Sequence, residues 1–124
     1  MFGLNESMNF YLYKYPTDMR KGFNGLTGII TNETNQDILS GDVFVFTNKQ
    51  RNKMKLIRWE TGGFVLYYKR LEQGTFEVSK IDNNEFIPKI SYSSLVMIIE
   101  GITAENIIYR KRFKIPQSTV SIRV

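Results

Sequence analysis

The run from Asn48 to Arg70, NKQRNKMKLIRWETGGFVLYYKR, sets lysines and arginines between large aromatic and aliphatic residues and holds one acid, Glu60. Lys49, Arg51, Lys53, Lys55 and Arg58 fall within ten residues that contain no carboxylate, and Lys69 and Arg70 close the run. Arg110, Lys111, Arg112 and Lys114 form another acid-free cluster near the C-terminus. The formal charge of +5, from 17 basic and 12 acidic residues, is therefore concentrated in short segments. Ammonium and guanidinium groups gathered in this way create a positive potential that draws polyanions, and arginine can bind two phosphate oxygens at once. Two readings stay open: a surface for phosphates, or solvated strand edges where lysine discourages edge-to-edge association. Trp59, Tyr67 and Tyr68, interleaved with these cations, could stack on unpaired bases. Strand aromatics equally serve as core or cross-strand partners.

Most catalytic chemistry is removed by composition. With no histidine and no cysteine the chain has no thiol nucleophile, no Ser-His pair and no ordinary zinc ligand set. Neither G-x-x-x-x-G-K-[ST] nor G-x-G-x-x-G occurs, so no phosphate-cradling loop is encoded. Carboxylate-held magnesium is the remaining route to phosphoryl transfer, with Asp18, Asp42 and Glu60 as its candidates. Each has a simpler role: Asp18 as a helix N-cap, Asp42 at a strand entry, Glu60 balancing Arg58. The expectation is a non-enzyme without a cofactor or metal.

The elements that must carry these residues are short. NFYLYKY (residues 9–15) alternates as a strand. Beyond Pro16, Thr17 or Asp18 can cap a helix whose apolar stripe is Met19, Phe23, Leu26 and Ile30. After the polar stretch TNETNQDILSG, four strands are expected: DVFVFTN, KMKLIRWE, FVLYYKRL and TFEVSKI. Gly62-Gly63 and Gln73-Gly74 supply tight turns, and neighbours joined so closely must pair antiparallel. ISYSSLVMIIEGI returns to helix, capped by Ser91, Ser93 or Ser94 and stopped at Gly101. The fold class is α+β: an antiparallel meander of about four to five strands packed with two helices in a single domain, residues 1–124. A length of 124 residues suits one such domain. No apolar run approaches the ~20 residues that cross a bilayer, MFGLNESMNF lacks a secretory signal, and the absence of cysteine suits a reducing cytoplasm.

Three blocks taken together, YPTDMRKGFNGL (15–26), SGDVFVFTNKQRNKMKLIRWETGGFVLYYKRLEQGTFEV (40–78) and LVMIIEGI (95–102), resemble one family. They are similar to the small second-frame accessory proteins (TnpB, or Orf-two-like) of the bacterial insertion sequence sixty-six family, distinct from the RNA-guided nucleases that share the name TnpB. The likeness covers a core of about residues 10–102 and leaves a basic tail, 103–124. It implies a role assisting transposition, through contact with element DNA, with a separate and larger transposase, or with both, and brings no catalytic residue. On this reading Lys49, Arg51, Lys53, Lys55, Arg58, Lys69 and Arg70 contact DNA phosphates. Arg20 and Lys21 either extend that surface, serve a partner protein, or form an exposed helix face. The alternative is a protein–protein adaptor docked on the transposase. The location expected is cytoplasmic, with no membrane partner.

Overall fold

The continuous apolar run VFVFT is the kind of strand that must be covered on both faces, and its surroundings are built to do so. The structure, a computed structural model, describes residues 3–78 and 84–101. Its elements in chain order are β1 (Phe10–Tyr13), α1 (Phe23–Glu33), β2 (Val43–Thr47), β3 (Lys53–Glu60), β4 (Gly63–Arg70), β5 (Lys89–Ile90) and α2 (Tyr92–Glu100). The strands form one sheet in the order β4-β3-β2-β1-β5. β2 lies at its centre with every residue buried. Val43 and Val45 point to one face, where Phe10, Leu12, Leu56, Leu95, Ile98 and Ile99 bring α2 onto the sheet. Phe44 and Phe46 point to the other, where Tyr13, Leu26, Ile29, Ile30 and Ile57 seat α1.

The α+β class follows, with a mixed sheet. β2, β3 and β4 are the expected antiparallel meander, with unbroken register from Lys53↔Arg70 to Glu60↔Gly63 in the second pair. β1 instead lies parallel to β2, which is possible because α1 supplies the crossover that a parallel pair requires. The β3–β4 turn is shifted by one residue from Gly62-Gly63. Glu60 pairs with Gly63, and Thr61 and Gly62 take the positive φ values of 43° and 82° that a two-residue hairpin needs.

Two expectations are corrected. TFEVSKI does not supply a fourth meander strand in its described part, residues 75–78. Phe76 and Val78 are both buried in the α2-side cluster, as alternation would place them, but Phe76 N–H donates to the carbonyl of Arg51 at 2.7 Å, away from β4. The fifth strand is formed by Lys89–Ile90, which pairs antiparallel with β1. α1 also starts at Phe23 rather than beside Thr17 or Asp18. Gly22 is its N-cap, with no side-chain cap bond. The residues before it are held elsewhere: Thr17 N–H donates to the Thr47 carbonyl at 2.8 Å, prolonging the β1–β2 neighbourhood past Pro16. α2 matches expectation, since Ser91 caps it by accepting from Ser94 N–H and Gly101 ends it at φ 80°. Among the described residues no helix is long and apolar enough to cross a membrane. The basic tail 103–124 lies outside the described residues.

The α2 terminus gives a direct check. A Cβ on Gly101 would stand 2.9 Å from Leu71 Cδ1, in a backbone conformation that L side chains rarely adopt. Gly101→Ala should therefore lower stability by about 1–3 kcal/mol, read as a reduced urea midpoint at unchanged m.

Candidate nucleic-acid interface

Alternation along β3 decides where its cations go, because successive side chains leave a strand on opposite faces. Lys53 and Lys55 leave on the α1 face with Ile57, while Arg58 leaves on the α2 face with Leu56. The nine basic residues assigned to DNA thus do not share one face, and most have partners within the fold. Lys55 is only 6% exposed. Its Nζ donates to the carbonyls of Met19 and Lys21 at 2.7 and 2.8 Å and lies 4.6 Å from the ring centroid of Tyr68, its cross-strand neighbour. Arg51 donates to Thr47 Oγ1 at 2.7 Å and toward the Lys14 carbonyl at 3.5 Å. Burial lowers its affinity for the proton, partly offset by the Glu77 carboxylate. Arg58 reaches the Gly41 carbonyl at 3.2 Å and pairs with Glu60 at 2.9 Å. Lys69 donates to the Ile99 carbonyl at 3.0 Å, where an ammonium satisfies an open carbonyl and complements the helix dipole. Arg70 pairs with Glu72 at 2.9 Å, and Arg20 with Asp18 at 2.6 Å.

Lys21, Lys49 and Lys53 differ: their ammonium groups make no hydrogen bond or ion pair among the described residues. Lys49 and Lys53 line a groove of about 440 Å³ between segment 16–20 and loop 48–50, together with Arg20 and the ring of Tyr68. Two blocks that are distant in sequence are brought together here. The loop wall is organised by Asn48, whose Oδ1 accepts from the backbone of Asn52 and Lys53 at 3.0 Å each and whose Nδ2 donates to Asn52 Oδ1 at 2.7 Å. Arg51 turns the chain at φ 61°. The opposite wall is tied down by the two carbonyl bonds from Lys55. Sequence reasoning missed Asn48, whose signal was the asparagine opening a polar loop. No signal marks the carbonyls of Met19 and Lys21.

Of the three interleaved aromatics, Trp59 packs edge-on against Phe64 with centroids 5.0 Å apart, and Tyr67 joins the α2-side cluster. Tyr68 is 51% exposed and faces the groove. The three carboxylates weighed as metal ligands do not converge, since Asp18 stands apart from the other two. Asp42 precedes β2 and Glu60 ends the neighbouring β3, while Asp18 lies beyond the opposite end of β2. Among the described residues no group of three or more metal-binding side chains occurs.

The chain belongs to the family of IS66 Orf2 like proteins, whose model matches residues 8–109. Membership makes it an accessory protein associated with an insertion sequence. It is similar to an uncharacterized protein, y4jC, of Sinorhizobium fredii (strain NBRC 101917 / NGR234), at 33% identity over 76 residues. That stretch covers 61% of this chain and 65% of the relative's length. No solved structure matches the chain.

Asp18 and Arg20 give a local pH signature. Hydrogen bonds from the Arg20 side chain, then from its backbone amide, hold the Asp18 carboxyl down at about 2. A carboxylate whose folded value is depressed contributes stability above its unfolded value, near 4, and loses it as pH falls through the folded one. An NMR titration should show the Asp18 midpoint near pH 2. Arg20→Gln should return it toward the ordinary carboxylate range.

Proposed function

We propose that this chain is a single-domain, non-catalytic accessory protein of insertion-sequence transposition that binds DNA phosphates at the groove between segment 16–20 and loop 48–53. It works in the cytoplasm beside the transposase of the same element. The observation that carries this reading is the set of ammonium groups that make no hydrogen bond or ion pair among the described residues, Lys49 and Lys53 in the groove and Lys21 next to its wall. A cation already committed to a carbonyl or a carboxylate has little to offer a phosphate, so Lys55 and Arg51 brace the walls of the groove, while Lys69, Arg58 and Arg70 lie outside its lining. Lysines at a concave polar site supply sequence-independent affinity and position the nucleic acid, without reading its bases.

Salt dependence tests the proposal. Each phosphate neutralised on a duplex contributes about −0.9 to the slope of log K against log salt. Lys49→Ala with Lys53→Ala should flatten that slope by about 1.8 in a mobility-shift series. Lys89→Ala, on the short strand β5 at the far edge of the sheet, should leave it unchanged. An unchanged slope in the folded double variant moves the site elsewhere.

A second reading, an adaptor docked on the transposase, is favoured by β4. Among the described residues its outer edge has no strand partner, and Phe64–Tyr68 carries no charge over five residues. Such an edge accepts an added strand, with main-chain bonds supplying affinity, while the basic groove would meet acidic side chains. A pull-down with purified transposase, with and without nuclease, separates the readings. Capture that survives nuclease, from a protein that ignores free DNA, makes the adaptor primary.

A further inference from the structure

We infer that the groove takes an unpaired nucleotide of single-stranded DNA, with its base stacked on Tyr68 and its flanking phosphates on Lys49 and Lys53. This rests on the groove being the DNA site and adds which form of DNA it selects. Tyr68 is half exposed on a strand whose cross-strand partner, Lys55, is almost wholly buried. The ring is also held in place. The Lys55 ammonium stands 4.6 Å from its centroid and is itself fixed by two carbonyl bonds of 2.7 and 2.8 Å. An aromatic ordered before binding loses little freedom when a base arrives. Trp59 and Tyr67, committed to Phe64 and to the α2-side cluster, do not line the groove.

Size and charge agree with this choice. A groove of about 440 Å³ sits at the lower end of small-ligand sites and suits a base with its sugar. The single carboxylate on its lining, Asp18, is paired with Arg20, which leaves the lysines to set the potential. A duplex can lay phosphates against Lys49 and Lys53, but its base faces are closed within the stack. An unpaired strand offers phosphates and a base face together. Basic grooves with an aromatic platform bind single strands in this way, and each stacked base is worth about 1–3 kcal/mol, or 5- to 150-fold in affinity.

The test is fluorescence anisotropy on the full chain, with labelled dT24 and a blunt 24-base-pair duplex at matched salt. The wild type should bind dT24 more tightly than duplex. Tyr68→Ala should weaken dT24 by 5- to 150-fold and change duplex affinity less than twofold, while Tyr68→Trp should keep the preference. As a readout that needs no destabilising variant, 5-iodouracil in the oligonucleotide should photocrosslink to Tyr68 in the wild-type protein. Equal affinity for both DNAs, or a crosslink that maps elsewhere, overturns the inference. An rU24 series binding more tightly than dT24 overturns DNA as the source of the nucleotide. Loss of both dT24 and duplex binding in Lys49→Ala with Lys53→Ala, but of neither in Tyr68→Ala, retains the groove and removes the stacking role. No effect of the lysine substitutions on either DNA removes the groove itself.

Discussion

An ammonium group taken out of water must find replacement partners, since leaving it bare costs several kcal/mol even after relaxation. Lys55 meets that constraint by donating to the carbonyls of Met19 and Lys21 and by lying against the Tyr68 ring. The consequences reach well beyond one side chain. The bonds pin segment 19–21 against the sheet, so the chain following Pro16 becomes a fixed wall rather than the first turns of a helix. α1 accordingly begins at Phe23. The same ammonium orders the ring that opens into the groove. Segment, strand and aromatic are therefore one mechanical unit centred on a buried charge.

A fixed wall also needs a fixed opposite wall, and loop 48–52 provides it by similar means. Asn48 is 8% exposed and uses both ends of its amide to close the loop on itself. Arg51 then fastens the loop to Thr47 and toward Lys14. Cations in this protein thus do two jobs. Those near backbone carbonyls take the place of water for groups that would otherwise be buried unpaired, as Lys69 does at the end of α2. Lys21, Lys49 and Lys53, whose ammonium groups make no hydrogen bond or ion pair among the described residues, leave their charge at the surface. A count of basic residues cannot separate these roles, so a dense run of Lys and Arg overstates the capacity of a sheet to hold phosphates.

Much of the fold was readable because periodicity survives without tertiary context. The β2–β4 meander, the buried Leu95, Ile98 and Ile99 of α2 and the Gly101 stop follow from spacing, capping and glycine. Three features were not readable. The parallel β1–β2 pairing depends on α1 folding back as a crossover, which short-range patterns do not specify. Asp18 looked like the N-cap of a helix, and its carboxylate does accept from the Arg20 amide. Yet only a single turn follows, closed by Lys21 N–H on the Asp18 carbonyl, and the carbonyls of Met19 and Lys21 are taken by Lys55. Phe76 and Val78 turn inward together as strand alternation requires, but the backbone there bonds to Arg51 rather than to β4, and the chain covers the α2-side core. In each case a long-range contact outweighed a local preference. The same holds for the basic run: its charges were visible, and their division between two faces and several carbonyls was not.

The place of the groove follows from that unanticipated pairing. Strands that run parallel deliver their following loops to the same end of a sheet, and in open sheets with helical crossovers this carboxyl end is where ligands gather. β1 ends at Tyr13 and leads into segment 16–20, while β2 ends at Thr47 and leads into loop 48–50. The two walls of the groove are these two connections. Had β1 run antiparallel to β2, segment 16–20 would have emerged at the opposite end, beside Asp42 and Glu60, and its Arg20 would lie far from Lys49. The amino end of α1 opens on the same side, with no side-chain cap and no acid in its first turn, adding the positive end of a helix dipole to a surface that already carries Lys21, Lys49 and Lys53. The basic groove is therefore a product of topology. Two connections separated by α1 in the chain meet only because that helix returns it in the direction from which it came.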